Sequence, residues 1–464
     1  MGGGCAGSTT TCKVTLNNDV AVTVGFESAT PRDLSAINHI VFMLQENRGM
    51  DHYFGHLADY WQANKDQFPQ AGNGTTFDAE PAEAFNPAND GSPVTAFHLT
   101  TVCLENPSPA WNESHIDWNR NNPYSPDYKG DGYVHTAAGE TNVSGPFAGQ
   151  PYFDSAGRRV MGYYTERELN YYYFMASAFG TSDNWFSPVM TRTQPNRMYL
   201  MAATSAGRVY PQPLGSGALP NKTIFELLDE HGISWKIYTS DNSPSYLSMF
   251  QYFFASGVQN KIVPAAPNYF NDVSNGTLPQ VVMIEGGYAT GLDEHPTGDD
   301  SAPQGSNVQT GAAYVSTLIN ALMNSVSWKD SVFILTWDEG GGFYDHVAPM
   351  KTVSPDNVKP SDLRQGDICT TGTGPTCDFV YTGYRVPLIV ISPWTKNVVS
   401  HTAADYTSIL KLIEKRFGLA ALTKRDAIQP DMSEFFDFDK VPWSTPPQPP
   451  KQSRTSPCYV NSLP

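Results

Sequence analysis

Two mostly apolar segments of the chain each end in a pair of oxygen-rich side chains. The pairs are Glu46-Asn47, which follows the segment 40–45, and Asp338-Glu339, which follows the segment 331–337. Both segments are short and continuous, as strands buried on both faces of a parallel sheet are. Open α/β sheets bind ligands beyond the carboxyl ends of such strands. The two pairs therefore predict an α/β fold with a site at the sheet edge where they meet.

Further strand-like and helix-like segments alternate along the chain. We predict strands at 233–238, 280–284 and 386–392, and helices at 165–178, from 195, and at 223–232, 311–326 and 403–417. This alternation favours a mainly parallel central sheet with helices on both faces.

The domain organisation follows from where this alternation begins and ends. We assign 36–420 to one domain, which includes a long loop-rich insertion at 57–160. A β-rich ornament at 1–35 precedes this domain, and a proline-rich tail at 421–464 follows it.

The net charge of −17 excludes whole classes of partner. Nucleic acids and anionic membranes bind through patches of Lys and Arg, which a chain this acidic does not favour. A phosphorylated small molecule is still compatible with this net charge, because a bound cation inverts the local electrostatic field. No apolar stretch has the length of a transmembrane segment.

The six cysteines predict disulfides rather than a metal site, because no pair has the Cys-x-x-Cys spacing. Disulfides imply an oxidising compartment, so we expect a secreted or periplasmic protein. Short sequence separations favour two local disulfides, which leaves the other two cysteines for one long-range disulfide. The predicted pairs are Cys5–Cys12, Cys369–Cys377 and Cys103–Cys458.

The two oxygen-rich pairs have the chemistry of a metal site. Carboxylate and amide oxygens are the ligands of hard divalent cations, so Glu46, Asn47, Asp338 and Glu339 favour Ca²⁺, Mg²⁺ or Mn²⁺ over structural zinc. The glycines at 340–342 let the backbone approach a ligand closely. The alternative is that acidic residues at strand ends are ordinary polar loop groups.

Thr193 stands at the start of a predicted helix, two residues before Pro195. Free N–H groups and the helix dipole attract phosphate there, and a metal that lowered the pKa of the hydroxyl would make it a nucleophile. The alternative is a simple N-cap threonine. Thr191 and Ser187 are rival hydroxyls.

Histidines complete the predicted chemistry. His295 and His115 are candidates for the general acid and the positive donors that phosphoryl transfer requires. We expect His346 and His52 to anchor the loops that follow Asp338 and Glu46 instead.

Several motifs occur in an order that resembles a known family. They are QENR at 45–48, DHYFG at 51–55, TQPNR at 193–197, DEHP at 293–296 and TWDEGGGFYDHV at 336–347, with GISWK at 232–236, YRVP at 384–387 and SPW at 392–394. The chain resembles, from about 39 to 418, the phosphoesterase family of bacterial non-haemolytic phospholipases C and related acid phosphatases. This family belongs to the alkaline-phosphatase-like superfamily.

The resemblance implies a role for particular residues. It implies Thr193 as the nucleophile and His295 as the histidine that contacts the phosphoryl group. It also implies a metal ion, whose ligands would be Glu46, Asn47, Asp338 and Glu339. The family's His-Ser-Trp triplet reads Pro-Ala-Trp at 109–111 here. His115 and His98 are the alternatives for a second catalytic histidine.

The resemblance also implies a metal-dependent phosphoester hydrolase that forms a phosphothreonine intermediate. A phospholipase C would act on phospholipids and use an aromatic cage for a cationic headgroup. The candidates for that cage are Tyr171, Tyr172, Tyr173, Trp111 and Trp118. The alternative is a broad-specificity acid phosphatase acting on small phosphoesters. A remote alternative is an inactive protein that binds phosphorylated ligands on the same fold.

Overall fold

An eight-stranded sheet forms the centre of the structure, a computed structural model that describes residues 33–71, 76–139, 152–296 and 307–463. The strands are β1 His39–Gln45, β2 Phe85–Pro87, β3 Pro93–Thr95, β4 Phe97–His98, β5 Gly162–Tyr163, β6 Gly180–Ser182, β7 Trp185–Phe186, β8 Trp235–Thr239, β9 Ile262–Pro264, β10 Val281–Glu285, β11 Ser331–Trp337, β12 Leu388–Ile391, β13 Val398–Ser400 and β14 Ala404–Asp405. The central sheet has the order β13-β6-β12-β11-β1-β10-β8-β9.

The α-helices of the described residues lie mostly between these strands in sequence. They are α1 Met50–Phe54, α2 Leu57–Ala63, α3 Trp111–Trp118, α4 Tyr133–Ala137, α5 Asn170–Ala178, α6 Thr193–Ala202, α7 Ile224–Glu230, α8 Ala265–Asn275, α9 Val308–Met323, α10 Ser408–Phe417 and α11 Lys424–Ala427. None of these helices is long and apolar enough to cross a membrane.

Strand β1 lies at the middle of the sheet and sets the position of the site. It pairs in parallel with β10 on one side and with β11 on the other. Gln45 is in register with Trp337, so both strands end at the same level and the residues after them meet at one edge. The predicted mainly parallel α/β sheet is confirmed. β12, which is antiparallel to β11 and β6, is the exception.

Burial explains why these segments form the centre of the sheet. Residues 40–43 of β1 have no exposed surface, and every residue of β11 is buried. Complete burial of one large aliphatic or aromatic side chain contributes roughly 1.5–3 kcal/mol, so the central strands provide much of the free energy of folding. Gly418 ends α10 in a left-handed conformation, with φ of 67°, as the sequence predicts for a glycine after a helix.

Two helices begin several residues after the predicted first residue. α5 begins at Asn170 rather than at Thr165, because the segment 165–168 forms a turn in which the Thr165 N–H donates to the Glu168 carboxylate at 3.2 Å. α10 begins at Ser408 rather than near 403, because Ala404 and Asp405 form the short strand β14. Polar side chains at both positions bind the backbone in turns instead of helices.

Two of the predicted disulfides are confirmed. Cys103 bonds to Cys458, and Cys369 bonds to Cys377. The predicted pair Cys5–Cys12 lies outside the described residues, as does most of the predicted ornament at 1–35.

The domain boundaries stay a prediction. Within the predicted tail, Pro457 accepts a hydrogen bond from the Val102 N–H, so this end of the chain packs on the insertion.

A buried ionic network joins the loops that follow β1 and β11. The Arg385 guanidinium, fully buried, contacts Asp345 at 2.8 Å and Asp51 at 2.9 Å. Asp51 also accepts from the backbone N–H and from Nδ1 of His346, at 2.8 and 2.7 Å. His346 therefore anchors its loop, as its place after β11 predicts. Burial alone would lower the pKa of His346, but Asp51 outweighs it and raises the pKa to about 9.

This network predicts that the folded protein loses stability as the pH becomes alkaline. A raised folded-state pKa adds stability that is complete below the unfolded value near 6.5 and is lost as pH rises through about 9. We expect the free energy of unfolding to fall by about 2 kcal/mol more in the wild type than in His346→Gln between pH 6.5 and 9.5. Urea unfolding across this range measures the difference, with His231→Gln as the control variant. Parallel curves for the wild type and His346→Gln would contradict it.

Candidate active site

The residues after β1 and β11 meet through hydrogen bonds to Asp338. The backbone N–H of Asn47 donates to Asp338 Oδ1 at 3.1 Å, and the N–H of Glu339 donates to the same oxygen at 2.9 Å. Asn47 adopts a left-handed conformation with φ of 61°, which Asn tolerates better than most residues. The sharp turn lets the chain bring Glu46 and Asn47 together beside Asp338.

Thr193 lies beside this group at the start of α6. Its hydroxyl donates to Asn47 Oδ1 at 3.2 Å. The N-cap residue is Arg192, which makes no side-chain cap, so the Thr193 hydroxyl is not used as a helix cap. The rival hydroxyls of Thr191 and Ser187 are buried and donate to backbone carbonyls, at 2.7 and 3.2 Å.

A cleft of about 300 Å³ opens above Thr193. The charged, polar and aromatic residues of its wall are Glu46, Asn47, Asn106, Arg192, Thr193, Gln194, Thr239, Asp241, Ser243, Tyr246, Glu285, Tyr288 and His295. Four of the predicted site residues therefore share one cleft. Asp338 is completely buried next to them, and Glu339 lies against a smaller space of about 10 Å³ that Thr191 also lines.

His295 faces this cleft from the loop after β10. Its ring meets Tyr288 edge-on, with 5.4 Å between the ring centroids. Its buried Nδ1 has no hydrogen-bond partner among the residues that the structure describes. Burial lowers the pKa of His295, and Glu46 partly opposes that shift. The Nδ1 atom of His295 is therefore left able to make one further hydrogen bond.

The carboxylates of this site are costly to bury together. Burial, opposed by Arg197 and reinforced by Glu46, raises the pKa of Asp338 to about 7. Burial, and then the charge of Asp338, also raise the pKa of Glu339. Burial and then Glu46 raise the pKa of Asp293. Each shift reflects negative charge held away from water.

Two carboxylate oxygens of this group are left without donors. Glu339 Oε1 and Asp293 Oδ2 are buried and have no hydrogen-bond partner in the described part of the chain. Buried acceptors in native proteins are almost always paired, so a positive group next to these oxygens would give them a partner. The donor set of carboxylates and one amide therefore fits a hard divalent cation.

Arg197 is a site residue that the sequence analysis did not single out. It follows Thr193 by one turn of α6 and contacts Glu46 at 3.2 Å and Asp338 at 3.3 Å. Its place in the TQPNR motif was the available signal. The i, i+4 spacing puts it on the same helix face as Thr193.

His115 and His98, the candidates for a second catalytic histidine, do not line the cleft. The two ring nitrogens of His115 contact the carbonyl oxygens of Trp111 and Thr376, at 2.6 and 3.1 Å. His98 contacts the Glu168 carboxylate at 3.0 Å. Both histidines therefore hold parts of the polypeptide together instead of facing Thr193.

The five predicted cage residues do not line the cleft either. Tyr171, Tyr172, Tyr173, Trp111 and Trp118 are all buried, with at most 1% of their surface exposed. Helix α5 carries the three tyrosines into the core. The aromatic residues that do line the cleft are Tyr246 and Tyr288.

A second acidic cluster also has metal-type donors. Ligand atoms of Asp51, Asp345 and His346 lie within 4.8 Å of one another. Arg385 already contacts both carboxylates of this cluster. Arg197 contacts Glu46 and Asp338 in the same way, so the group beside Thr193 differs from this cluster in the Glu339 oxygen that has no partner among the described residues.

A comparison with known families identifies the family to which this chain belongs. The model of the phosphoesterase family matches residues 37–420. The chain belongs to the phosphoesterase family. It is similar to Phospholipase C B of Mycobacterium tuberculosis, with 30% identity over 94% of this chain and 83% of that protein. It is also similar to the hemolytic phospholipase C of Pseudomonas aeruginosa, with 28% identity over 91% of this chain and 58% of that one.

Among solved structures, this phosphoesterase is similar to an alkaline phosphatase superfamily protein from Vibrio parahaemolyticus. The TM-score is 0.36 with 13% identity, over 57% of this chain and 64% of that one. The fold class rests on the sheet order itself rather than on this similarity.

Glu294 is a second residue of this phosphoesterase that the sequence analysis overlooked, although it stands in the DEHP motif. Its buried carboxylate accepts hydrogen bonds from three aromatic side chains. The donors are Tyr172 at 2.5 Å, Tyr53 at 2.7 Å and Trp337 at 3.1 Å. Glu294 has a φ of 72°, which is unfavourable for a residue with a side chain. These contacts hold the backbone that presents His295.

Replacing Glu294 by Ala removes one acceptor and leaves three buried donors unpaired. We expect Glu294→Ala to lower the free energy of unfolding by about 3–5 kcal/mol and kcat/KM by at least about tenfold. Urea unfolding and steady-state kinetics measure the two effects, and Glu83→Ala, at an exposed position, is the control. Wild-type stability in Glu294→Ala would contradict this role for the carboxylate.

Proposed function

We propose that this phosphoesterase is a phospholipase C, which cleaves phospholipids on the glycerol side of the phosphodiester, with Thr193 as its nucleophile. The observation that carries the proposal is the position of the Thr193 hydroxyl, which donates to Asn47 at 3.2 Å in the cleft that Glu46 and His295 also line. The phospholipase C names of the Mycobacterium tuberculosis and Pseudomonas aeruginosa relatives support this substrate class.

A divalent cation belongs to this proposal. Glu46, Asn47, Asp338 and Glu339 would hold it, and the Glu339 oxygen that lacks a partner among the described residues supports this set. Oxygen donors favour Ca²⁺, Mg²⁺ or Mn²⁺, with Zn²⁺ as the alternative. A cation bound there would offset charge on the phosphoryl oxygens and lower the pKa of a neighbouring hydroxyl.

The proposed reaction has two displacement steps. First, Thr193 Oγ1 bonds to phosphorus while the bond from phosphorus to the glycerol oxygen breaks. The Thr193 hydroxyl loses its proton, and the departing diacylglycerol oxygen gains one. Water then attacks phosphorus, the bond from phosphorus to Thr193 Oγ1 breaks, and a proton from the water restores the hydroxyl as the phosphorylated headgroup leaves. His295 donates an N–H to the phosphoryl group or to the leaving oxygen.

A specific observation favours a second candidate function, the hydrolysis of phosphomonoesters by an acid phosphatase. Arg192 lines the cleft directly next to Thr193, and its Cζ lies 5.9 Å from the Tyr210 ring centroid. Arg364 lies over the same ring, with its Cζ at 3.9 Å. The Arg192 guanidinium in the cleft wall, with a second guanidinium behind it at Tyr210, favours a phosphate that carries two negative charges, as a monoester does near neutral pH.

We also infer that the protein is secreted or periplasmic. The two disulfides support an oxidising compartment, because reducing compartments keep thiols free.

The nucleophile assignment is tested by removing one hydroxyl. We expect Thr193→Ala to lower kcat at least about 10³-fold, a loss of roughly 4 kcal/mol of transition-state stabilisation, while Thr193→Ser keeps part of the activity. Assays with phosphatidylcholine and with an aryl phosphate, each in excess divalent cation, measure the loss and identify the preferred substrate. Thr317→Ala, at an exposed position on α9, is the matched control.

Wild-type turnover by Thr193→Ala would reject the mechanism. An absence of turnover on both substrates by the wild type would instead favour a protein that only binds phosphorylated ligands.

A further inference from the structure

Arg197 is in direct contact with two of the buried carboxylates of the site. Its Nη2 contacts Glu46 Oε1 at 3.2 Å, and its Nε contacts Asp338 Oδ2 at 3.3 Å. The same Nη2 donates to the Leu44 carbonyl at 3.2 Å, which ties the guanidinium to the end of β1. The side chain of Arg197 is only 3% exposed. One planar group thus joins the ends of β1 and β11.

The surroundings of Arg197 leave it little freedom to move. Its Cζ lies 4.5 Å from the ring centroid of Tyr246, whose hydroxyl donates to Glu46 Oε1 at 2.7 Å. The aromatic face favours the cation, and the hydroxyl fixes the carboxylate that the cation contacts. Arg197 and Tyr246 therefore hold Glu46 Oε1 in position together.

The balance of charge at the site explains why such a group is needed. Glu46, Asp338, Glu339 and Asp293 are each at most 3% exposed, and Arg197 is a cation in direct contact with two of them. Carboxylates buried together without a positive partner repel one another and lose their hydration. A divalent cation would supply two further positive charges, but only after the chain has folded.

We propose that Arg197 is a resident counter-cation that positions Glu46 and Asp338 before the divalent cation binds, so that folding does not depend on that cation. The inference rests on the cation site of the proposed function. Because a bound divalent cation would hold the same two carboxylates, the contribution of Arg197 to stability should be large in its absence and small in its presence. Arg197 is thus a positioning residue.

Thermal unfolding of three proteins tests this inference, each measured in a chelator and then in saturating Mn²⁺. The proteins are the wild type, Arg197→Met and the control Arg425→Met. Arg425 is an equally buried arginine that contacts Asp405 at 3.1 Å, and it does not line the cleft. Met keeps much of the apolar volume and removes the charge in both variants.

We expect Arg197→Met to lower Tm by roughly 5–10 °C in the chelator and to regain at least half of that loss in Mn²⁺. Arg425→Met should lose similar stability in both conditions. Equal losses for Arg197→Met with and without Mn²⁺ would overturn the inference. Should Arg197→Met fail to fold, Arg197→Gln gives the same comparison, because its amide also removes the charge but can still donate hydrogen bonds.

Titration calorimetry of the wild type with Mn²⁺ separates this inference from the proposed function. An absence of binding would refute the cation site itself. Binding by the wild type, together with equal losses for Arg197→Met in both conditions, would refute only the role of Arg197.

Discussion

The burial of several carboxylates at one edge of the sheet is the constraint on which the rest of the site depends. Negative charges taken out of water need positive groups and N–H donors around them. Two backbone N–H groups donate to Asp338, and the guanidinium of Arg197 contacts it. Glu339 Oε1 has no hydrogen-bond partner in the described part of the chain, and we propose that a divalent cation pairs with it.

The fold brings the proposed catalytic groups to the same place as these carboxylates. Because β1 and β11 are parallel neighbours in register, their ends lie side by side without any adjustment of the loops. Helix α6 then brings a hydroxyl and a guanidinium to that edge from successive turns. A second network, in which Arg385 joins Asp51 and Asp345, fixes the loops just behind the site by the same principle. One buried arginine thus holds each pair of loops.

Part of this arrangement could be predicted from the sequence. The apolar runs that end in Glu46-Asn47 and Asp338-Glu339 predict the sheet and the meeting of the two pairs, because parallel strands end at a common edge. His115 shows the limit of such reasoning. Its ring binds two backbone carbonyls of distant segments, and no local pattern reports that kind of contact. The same holds for Arg197 and Glu294, whose partners come together only in the folded chain.

The central claim is that a divalent cation binds beside Thr193 among Glu46, Asn47, Asp338 and Glu339. Anomalous diffraction from crystals soaked in Mn²⁺ tests it most directly, because the scattering peak locates the cation without reference to activity. The account predicts one strong peak within about 2.5 Å of oxygens from these four residues. A peak among Asp51, Asp345 and His346 instead, or no peak at either cluster, would contradict it.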